Sequence, residues 1–272
     1  MMPQTVQAPR TQVQFRPHLT AATSSETARE QWVAFIGKLS LEKGVHCLIA
    51  AMPAIVAKVP QARLILIGDG VARAHLVAMR DALSEGDLDA AAQAMQHAAE
   101  TSPEPYAEWV AEYWAGLDLH QHCKMAAAAD LRKRVVFTGY QPAPGVAHLI
   151  SHVDLVVIPS LIKEAFPLVS VEALSTGLMF VAPYVGGLAP VLDQVSAELD
   201  PIGRLASLRY RPQHLIPDMI DQVSMLLRYM SQEARRRELT MQCRNFALRH
   251  YDWTNIVSRI ESVYVSALYG YH

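Results

Sequence analysis

The chain has 272 residues, 51% hydrophobic, 18% charged and 7% aromatic, with Lys+Arg 24 against Asp+Glu 26 and a formal net charge of -2. This length allows one large domain or two small ones and can bury a substantial core, and the composition is too apolar for a disordered chain. Near-neutral charge argues against a general nucleic-acid binder, which needs a basic surface, and no apolar run approaches the ~18 residues of a transmembrane helix.

Residues 1–30 are polar, carry little periodicity and lack the apolar segment of a signal peptide; they read as a mobile arm or a linker. The pattern changes at Gln31. The run WVAFI (32–36) ends at Gly37 and predicts a first strand. Val45, Leu48, Ile49, Met52 and Ile55–Val56 then recur at helical spacing, with Pro53 expected to kink that helix. RLILIGDG (63–70) predicts a second strand, RVVFTG (134–139) a third, DLVVIPS (154–160) a fourth and MFVAP (179–183) a fifth, with helical segments between them. Apolar strands alternating with helices predict an α/β fold, a parallel sheet covered on both faces. Such sheets bind ligands outside the carboxyl ends of their strands, which places the chemistry at Gly37, Gly68–Gly70, Gly139, Ser160 and Pro183. From about Pro212 the chain reads as helical, and a last helix starts near Trp253. Cys47, Cys123 and Cys243 are far apart and in no metal-type spacing, which fits a reducing, cytoplasmic compartment. His120, His122 and Cys123 lack a fourth ligand at a usual spacing, so no metal is expected there.

The segment 85–130 exceeds a minimal α/β unit. Glu85 to Cys123 holds many acidic residues and no Lys or Arg. Tyr106, Trp109, Tyr113 and Leu117 recur at helical spacing, and Glu104, Glu108 and Glu112 form a column at i, i+4, where like charges repel. The segment reads as a solvated helical insertion, its aromatic stripe packed inward, extending from the sheet and leaving the core intact; a partner-docking surface is the second reading. GDG at 68–70 lacks the further glycine of a dinucleotide fingerprint, because Arg73 stands at that position. Arg235, Arg236, Arg237, Arg244 and Arg249 read as a solvated helix face, with contact to a membrane surface as the alternative.

The chemistry concentrates in 153–192, where Asp154, Lys163, Glu164 and Glu172 are the only acids and bases. Unpaired buried carboxylates are costly, so the pair in PSLIKEAFPLVSVEALSTG needs a reason. Pro167 suits the first position of a helix and Gly177 the residue past its end. The N–H groups of Leu168, Val169 and Ser170 would then be free helix-start donors, suited to a phosphate. Glu172 could accept hydrogen bonds from a diol such as a ribose, and Glu164 from a second polyol.

EAFPLVSVE resembles the E-x7-E element of retaining GT-B glycosyltransferases, especially the large family-4 group. GKLSLEKG (37–44), LILIGDG, VVFTGY (135–140), EALSTGLMFVAPYVGG (172–187) and YDW (251–253) resemble further elements of that family in the same order, over roughly 31–80 and 131–270. The resemblance implies a Rossmann-like C-terminal domain, one half of a GT-B fold, spanning 31–272. It implies that Lys38 and Lys43, after Gly37, neutralise a donor diphosphate, and that Glu172 binds the ribose. Glu164 would face the donor sugar as the catalytic-site carboxylate. Phe166, Pro167, Leu168 and Val169 would cradle the diphosphate and sugar, and Gly139 and Tyr140 would lie near the base. No cofactor or metal is implied beyond the nucleotide-diphosphate sugar itself. Three departures stand out: Lys38 replaces Arg, Leu178–Met179–Phe180 replaces a smaller or polar residue plus Pro-Val, and no acid follows Gly186–Gly187. The acceptor half has no counterpart in residues 1–30, so an N-terminal GT-B half is an expected partner, as a separate chain or a missing domain. The alternatives are a non-catalytic binding or scaffold module of the same fold and a sugar-nucleotide epimerase half.

Overall fold

A computed structural model describes residues 29–100, 105–199 and 207–270. Five strands form one sheet: β1 (Gln31–Ile36), β2 (Ala62–Ile67), β3 (Val135–Gly139), β4 (Leu155–Val157) and β5 (Met179–Val181). Each falls within a predicted run or starts one residue outside it. All pairings are parallel, in the order β3-β2-β1-β4-β5. The central strands are buried on both faces, as their unbroken apolar runs require. Leu178, Met179 and Phe180 are buried at β5, so that departure from the family pattern is a change in packing. The chain winds outward from β1 through β2 to β3, then returns to β4 on the other side of β1. The crevice between the carboxyl ends of β1 and β4 is therefore the topological switch point.

Helices cover the sheet. Between β1 and β2 lies α1 (Val45–Lys58), which continues past the buried Pro53 to Lys58. Then follow α2 (Arg73–Glu85), α3 (Leu88–Ala99), α4 (Glu108–Ala115), α5 (Leu119–Ala129) and α6 (Leu131–Arg134), all before β3. Asp87 and Asp118 cap α3 and α5 by accepting from the N–H groups of Ala90 and Gln121. The rest are α7 (Ala143–Ile150), α8 (Leu168–Thr176), α9 (Leu188–Leu199), α10 (Pro212–Met230), α11 (Glu233–Tyr251) and α12 (Trp253–Tyr269). No helix among the described residues is long and apolar enough to cross a membrane.

The insertion is helical, but the expectation that it leaves the core intact is corrected. Leu88, Met95, Val110, Tyr113, Trp114 and Ala126 are buried in the same hydrophobic cluster as the sheet. α3 packs on α2, α4 on α1 and α10, and α5 on α1 and α2. The inward stripe is also rotated. α4 begins only at Glu108 and ends at Ala115, so Tyr106 and Leu117 lie outside it and are half-buried, as is Trp109. Val110, Tyr113 and Trp114 carry the buried face instead. Glu108 and Glu112 are exposed; Glu104 lies outside the described residues.

One further boundary shifts. Residues 1–28 of the expected arm lie outside the described residues, but Arg29 and Glu30 are anchored. Arg29 pairs with the buried Asp154 at 2.7 Å, and Glu30 with Arg63 at 2.5 Å. The other oxygen of Asp154 accepts from the Trp32 N–H at 2.8 Å, so this carboxylate ties the chain entering β1 to β4. Arg235, Arg237, Arg244 and Arg249 of α11 are exposed, as expected of a solvated face; on it Arg249 pairs with Glu198 at 2.7 Å, and Arg244 donates to the Thr176 carbonyl at the end of α8. No residue of α12 is buried, and Trp253, Val263, Tyr264 and Leu268 are exposed.

Candidate functional site

Two loops meet at the switch point. The first, 37–44, leaves β1 and closes with a short 3-10 turn over Leu41–Lys43. Gly44 ends it in the left-handed region, φ 69°, and a Cβ there would lie 1.9 Å from the Pro159 carbonyl oxygen. Only glycine lets this loop press against the second one, which follows β4. The Leu161 N–H donates to the Glu42 carbonyl at 2.9 Å and ties the two together.

This contact brings Lys43 to Glu164. The Lys43 Nζ donates to Glu164 Oε1 at 2.8 Å, and Ser160 Oγ donates to the same oxygen at 2.9 Å. Both bonds fall on Oε1, so Oε2 is the oxygen left to meet a ligand. The two side chains are each about a quarter exposed, 26% and 22%, which keeps them reachable from solvent. Behind Glu164 stands the Gly186–Gly187 turn after β5. The Gly187 N–H donates to the Glu164 carbonyl at 2.7 Å. A Cβ on Gly187 would come within 2.1 Å of the Ala165 carbonyl oxygen, so the turn can clamp the Glu164 backbone only as glycine.

The remaining predicted residues line the same edge less tightly. Gly37 donates its N–H to Ile67 at the mouth of β1 and β2. Lys38 is largely exposed, 3.7 Å from Glu42. Glu172 is exposed on α8, its carboxylate without a partner among the described residues. Gly139 ends β3, and its carbonyl accepts from the Gly68 N–H at 3.1 Å; the neighbouring Tyr140 is exposed. β3 is separated from β1 by β2, so this pair stands two strands away from the Lys43–Glu164 contact.

The segment 166–170 needs correction. Pro167 caps the helix from outside and is not its first residue, since α8 begins at Leu168. Two of the three expected donors are also spent: the Leu168 N–H donates to the Phe166 carbonyl at 3.1 Å, and the Ser170 N–H to the Pro167 carbonyl at 2.9 Å. Val169 keeps its N–H free of a backbone acceptor outside the helix. Phe166 and Leu168 are exposed at the mouth, and the Phe166 ring stands 6.3 Å from that of Tyr251.

Two cavities lie elsewhere. One of about 550 Å³ opens beyond β5, among Tyr184, Leu208, Tyr210, Arg211 and His214. The other, about 580 Å³, sits at the opposite edge of the sheet, where β4 and β5 begin. Its Arg29 and Arg244 are occupied by Asp154 and the Thr176 carbonyl. Lys43 and Glu164 line neither of these two cavities.

Several residues near the site carry no sequence signal of their role. His46, at the start of α1, is fully buried, and its Nε2 donates to the Tyr106 carbonyl at 2.8 Å. Burial lowers its pKa from 6.5 to about 4, so it is neutral, and its buried Nδ1 has no partner among the described residues. Tyr210 donates its hydroxyl to the Leu161 carbonyl. Ser160 could have been found, four residues before Glu164 in PSLIKE; Tyr210 could not.

The winding of the sheet, with this loop pair at its switch point, defines a Rossmann-like body of the kind that binds ligands at its carboxyl edge. Residues 87–208 match the family described as Glycosyl transferases group 1. A D-inositol 3-phosphate glycosyltransferase of Segniliparus rotundus is 30% identical over 189 residues, covering 68% of this chain and 32% of that protein. The structure of HepE from Anabaena, in complex with UDP and glucose, is similar with a TM-score of 0.52 and 22% identity, over 88% of this chain and 49% of that one. The C-terminal domain of a glycosyl transferase group 1 protein, LpcC from Francisella tularensis, matches with a TM-score of 0.50 and 19% identity, over 83% of this chain and 88% of that domain. The fold is that of GT-B glycosyltransferase neighbours, and the chain spans about a third of its curated relatives' length.

Proposed function

We propose that this chain supplies the donor-binding half of a retaining glycosyltransferase, which moves a sugar from a nucleotide-diphosphate sugar to an acceptor. The Lys43–Glu164 contact at the switch point carries the reading. It sets a cation and a carboxylate side by side where a diphosphate joins a sugar. Lys43, with Lys38 nearby, balances the charge that grows on the leaving diphosphate. Glu164 Oε2 accepts from sugar hydroxyls, and Glu172 from the ribose. Gly37, Phe166, Pro167, Leu168 and Val169 shape the floor, the Val169 N–H being the donor left for a phosphate oxygen. Gly139 and Tyr140 stand where the base would reach. The relative that holds UDP and glucose supports a nucleotide-sugar donor.

A single Rossmann-like domain does not hold an acceptor in line with the anomeric carbon, and such orientation supplies ~7–11 kcal/mol of the barrier. The chain therefore acts with a second GT-B-type domain, in a longer polypeptide or a partner chain. The purified chain is expected to bind nucleotide sugars with negligible turnover, and to gain turnover when a matching N-terminal domain is added. Calorimetry plus transfer and donor-hydrolysis assays over a panel of nucleotide sugars test this. Efficient transfer by the chain alone would refute the half-enzyme reading.

The second reading is a non-catalytic module of the same fold. The spent donors of Leu168 and Ser170 favour it, because they narrow the phosphate cradle. Absence of binding to every nucleotide and nucleotide sugar tested would select it.

A further inference from the structure

We infer that the helical insertion braces the donor loop, with Trp109 and Tyr210 acting as positioning residues for Glu164. This rests on the reading of Glu164 as the donor-facing carboxylate. The loop from Ile158 to Pro167 has no regular structure of its own. Its position is set by a few backbone anchors. Leu161 N–H reaches Glu42 at 2.9 Å, Gly187 N–H reaches the Glu164 carbonyl at 2.7 Å, and the Tyr210 hydroxyl donates to the Leu161 carbonyl. Leu161 is buried, so its carbonyl needs an internal partner, and Tyr210 is the one that supplies it.

Tyr210 is itself held from the insertion. It lies just before α10, and its ring packs against that of Trp109 in the first turn of α4, with centroids 5.2 Å apart and planes tilted by 52°. Burial raises the Tyr210 phenol above its ordinary pKa, so it remains a donor through neutral pH. A second strut reaches the start of α1, directly after the other loop. The Tyr106 carbonyl, just ahead of α4, accepts from His46, three residues beyond Lys43. The insertion thus reaches both loops through one intermediary each: Tyr210, which holds Leu161, and His46, in the first turn of the helix that follows Gly44. Movement of α4 would shift the two charged groups relative to each other without any ligand contact being lost.

The test uses the full chain and Tyr210→Phe, which removes only the hydroxyl. In the free protein, amide exchange across residues 160–166 and at Gly187 is expected to rise about 5-fold while β1 and β2 stay unchanged, as for a local opening. UDP-glucose should bind about 3- to 10-fold more weakly, the range a single hydrogen bond spans, with UDP within about 2-fold of wild type. In a Glu164→Gln background, Tyr210→Phe should add nothing, because both act through one group. Trp109→Leu should reproduce the exchange change, and Trp109→Phe, which keeps an aromatic ring, should restore protection. Unchanged exchange in Tyr210→Phe or in Trp109→Leu overturns the brace, as do multiplicative effects with Glu164→Gln. If wild type binds neither UDP nor UDP-glucose, the donor reading falls, and the exchange data alone decide the brace.

Discussion

Acidification should weaken this fold through one buried imidazole. His46 has no exposed surface, and its pKa is lowered from 6.5 to about 4 by burial, opposed by its bond to the Tyr106 carbonyl. In the unfolded chain the imidazole takes a proton as pH falls through 6.5; in the native state it stays neutral until about pH 4. Between these values the unfolded state binds more protons, so stability rises with pH there and is fully present above 6.5. Working from these two values, the loss is about 2 kcal/mol between pH 7 and pH 5, approaching about 3 kcal/mol by pH 4. Protonation would also give Nδ1 a hydrogen in a buried position that offers it no acceptor among the described residues. Urea unfolding at pH 7 and pH 5, on wild type and His46→Gln, isolates the contribution, since glutamine keeps an amide donor for Tyr106 but does not titrate. Wild type should lose about 2 kcal/mol more than the variant. Equal losses would refute the assignment of His46 as a neutral, buried group.

Other outcomes are open to direct measurement. Glu172→Ala should weaken nucleotide and nucleotide-sugar binding by about 1.5–3 kcal/mol by calorimetry, the cost of a charge-assisted bond; unchanged affinity for all would remove it from the site. Glu164→Ala should weaken the sugar nucleotide more than the free nucleotide in the same experiment, and an equal effect on both would place it away from the sugar. Gly187→Ala must displace the Ala165 carbonyl, from which its Cβ would be 2.1 Å, at an overpacking cost of about 1–3 kcal/mol seen as a lowered unfolding midpoint. Replacing residues 87–129 by a short loop should abolish cooperative unfolding, because it strips Val110, Tyr113 and Trp114 from the core cluster; a cooperative transition in that variant would show the sheet to be self-sufficient.

The sheet was readable because each strand is a short apolar run that stops at glycine or proline, and parallel strands buried on both faces leave that trace. The Lys43–Glu164 contact was readable only as two residues assigned to one site, through the resemblance. Their direct bond depends on Gly44 seating one loop against Pro159, a contact between segments more than a hundred residues apart. The helix start after Pro167 was misjudged for a local reason: its carbonyl and that of Phe166 turn back to take two of the expected donors. The insertion was misjudged because an acidic, alanine-rich segment looks solvated in sequence, whereas small alanines let α3 and α5 approach α1 and α2 closely. Nothing in the spacing of Tyr210 marks a hydroxyl that reaches Leu161.

The 17-residue α12 places its apolar side chains in water, with no residue buried. A helix of that length without tertiary burial is only marginally stable, so its intrinsic propensity is nearly all that maintains it. Its opening should cost far less than global unfolding and proceed independently of it. The protein then has a C-terminal segment that frays at temperatures where the sheet is intact, with fast amide exchange after Asp252 and early tryptic cleavage at Arg259. A far-ultraviolet melt would begin with a shallow, non-cooperative loss of helix before the main transition. Stability assigned to this chain from its midpoint alone would describe the sheet and its packed layers, and leave out α12 altogether.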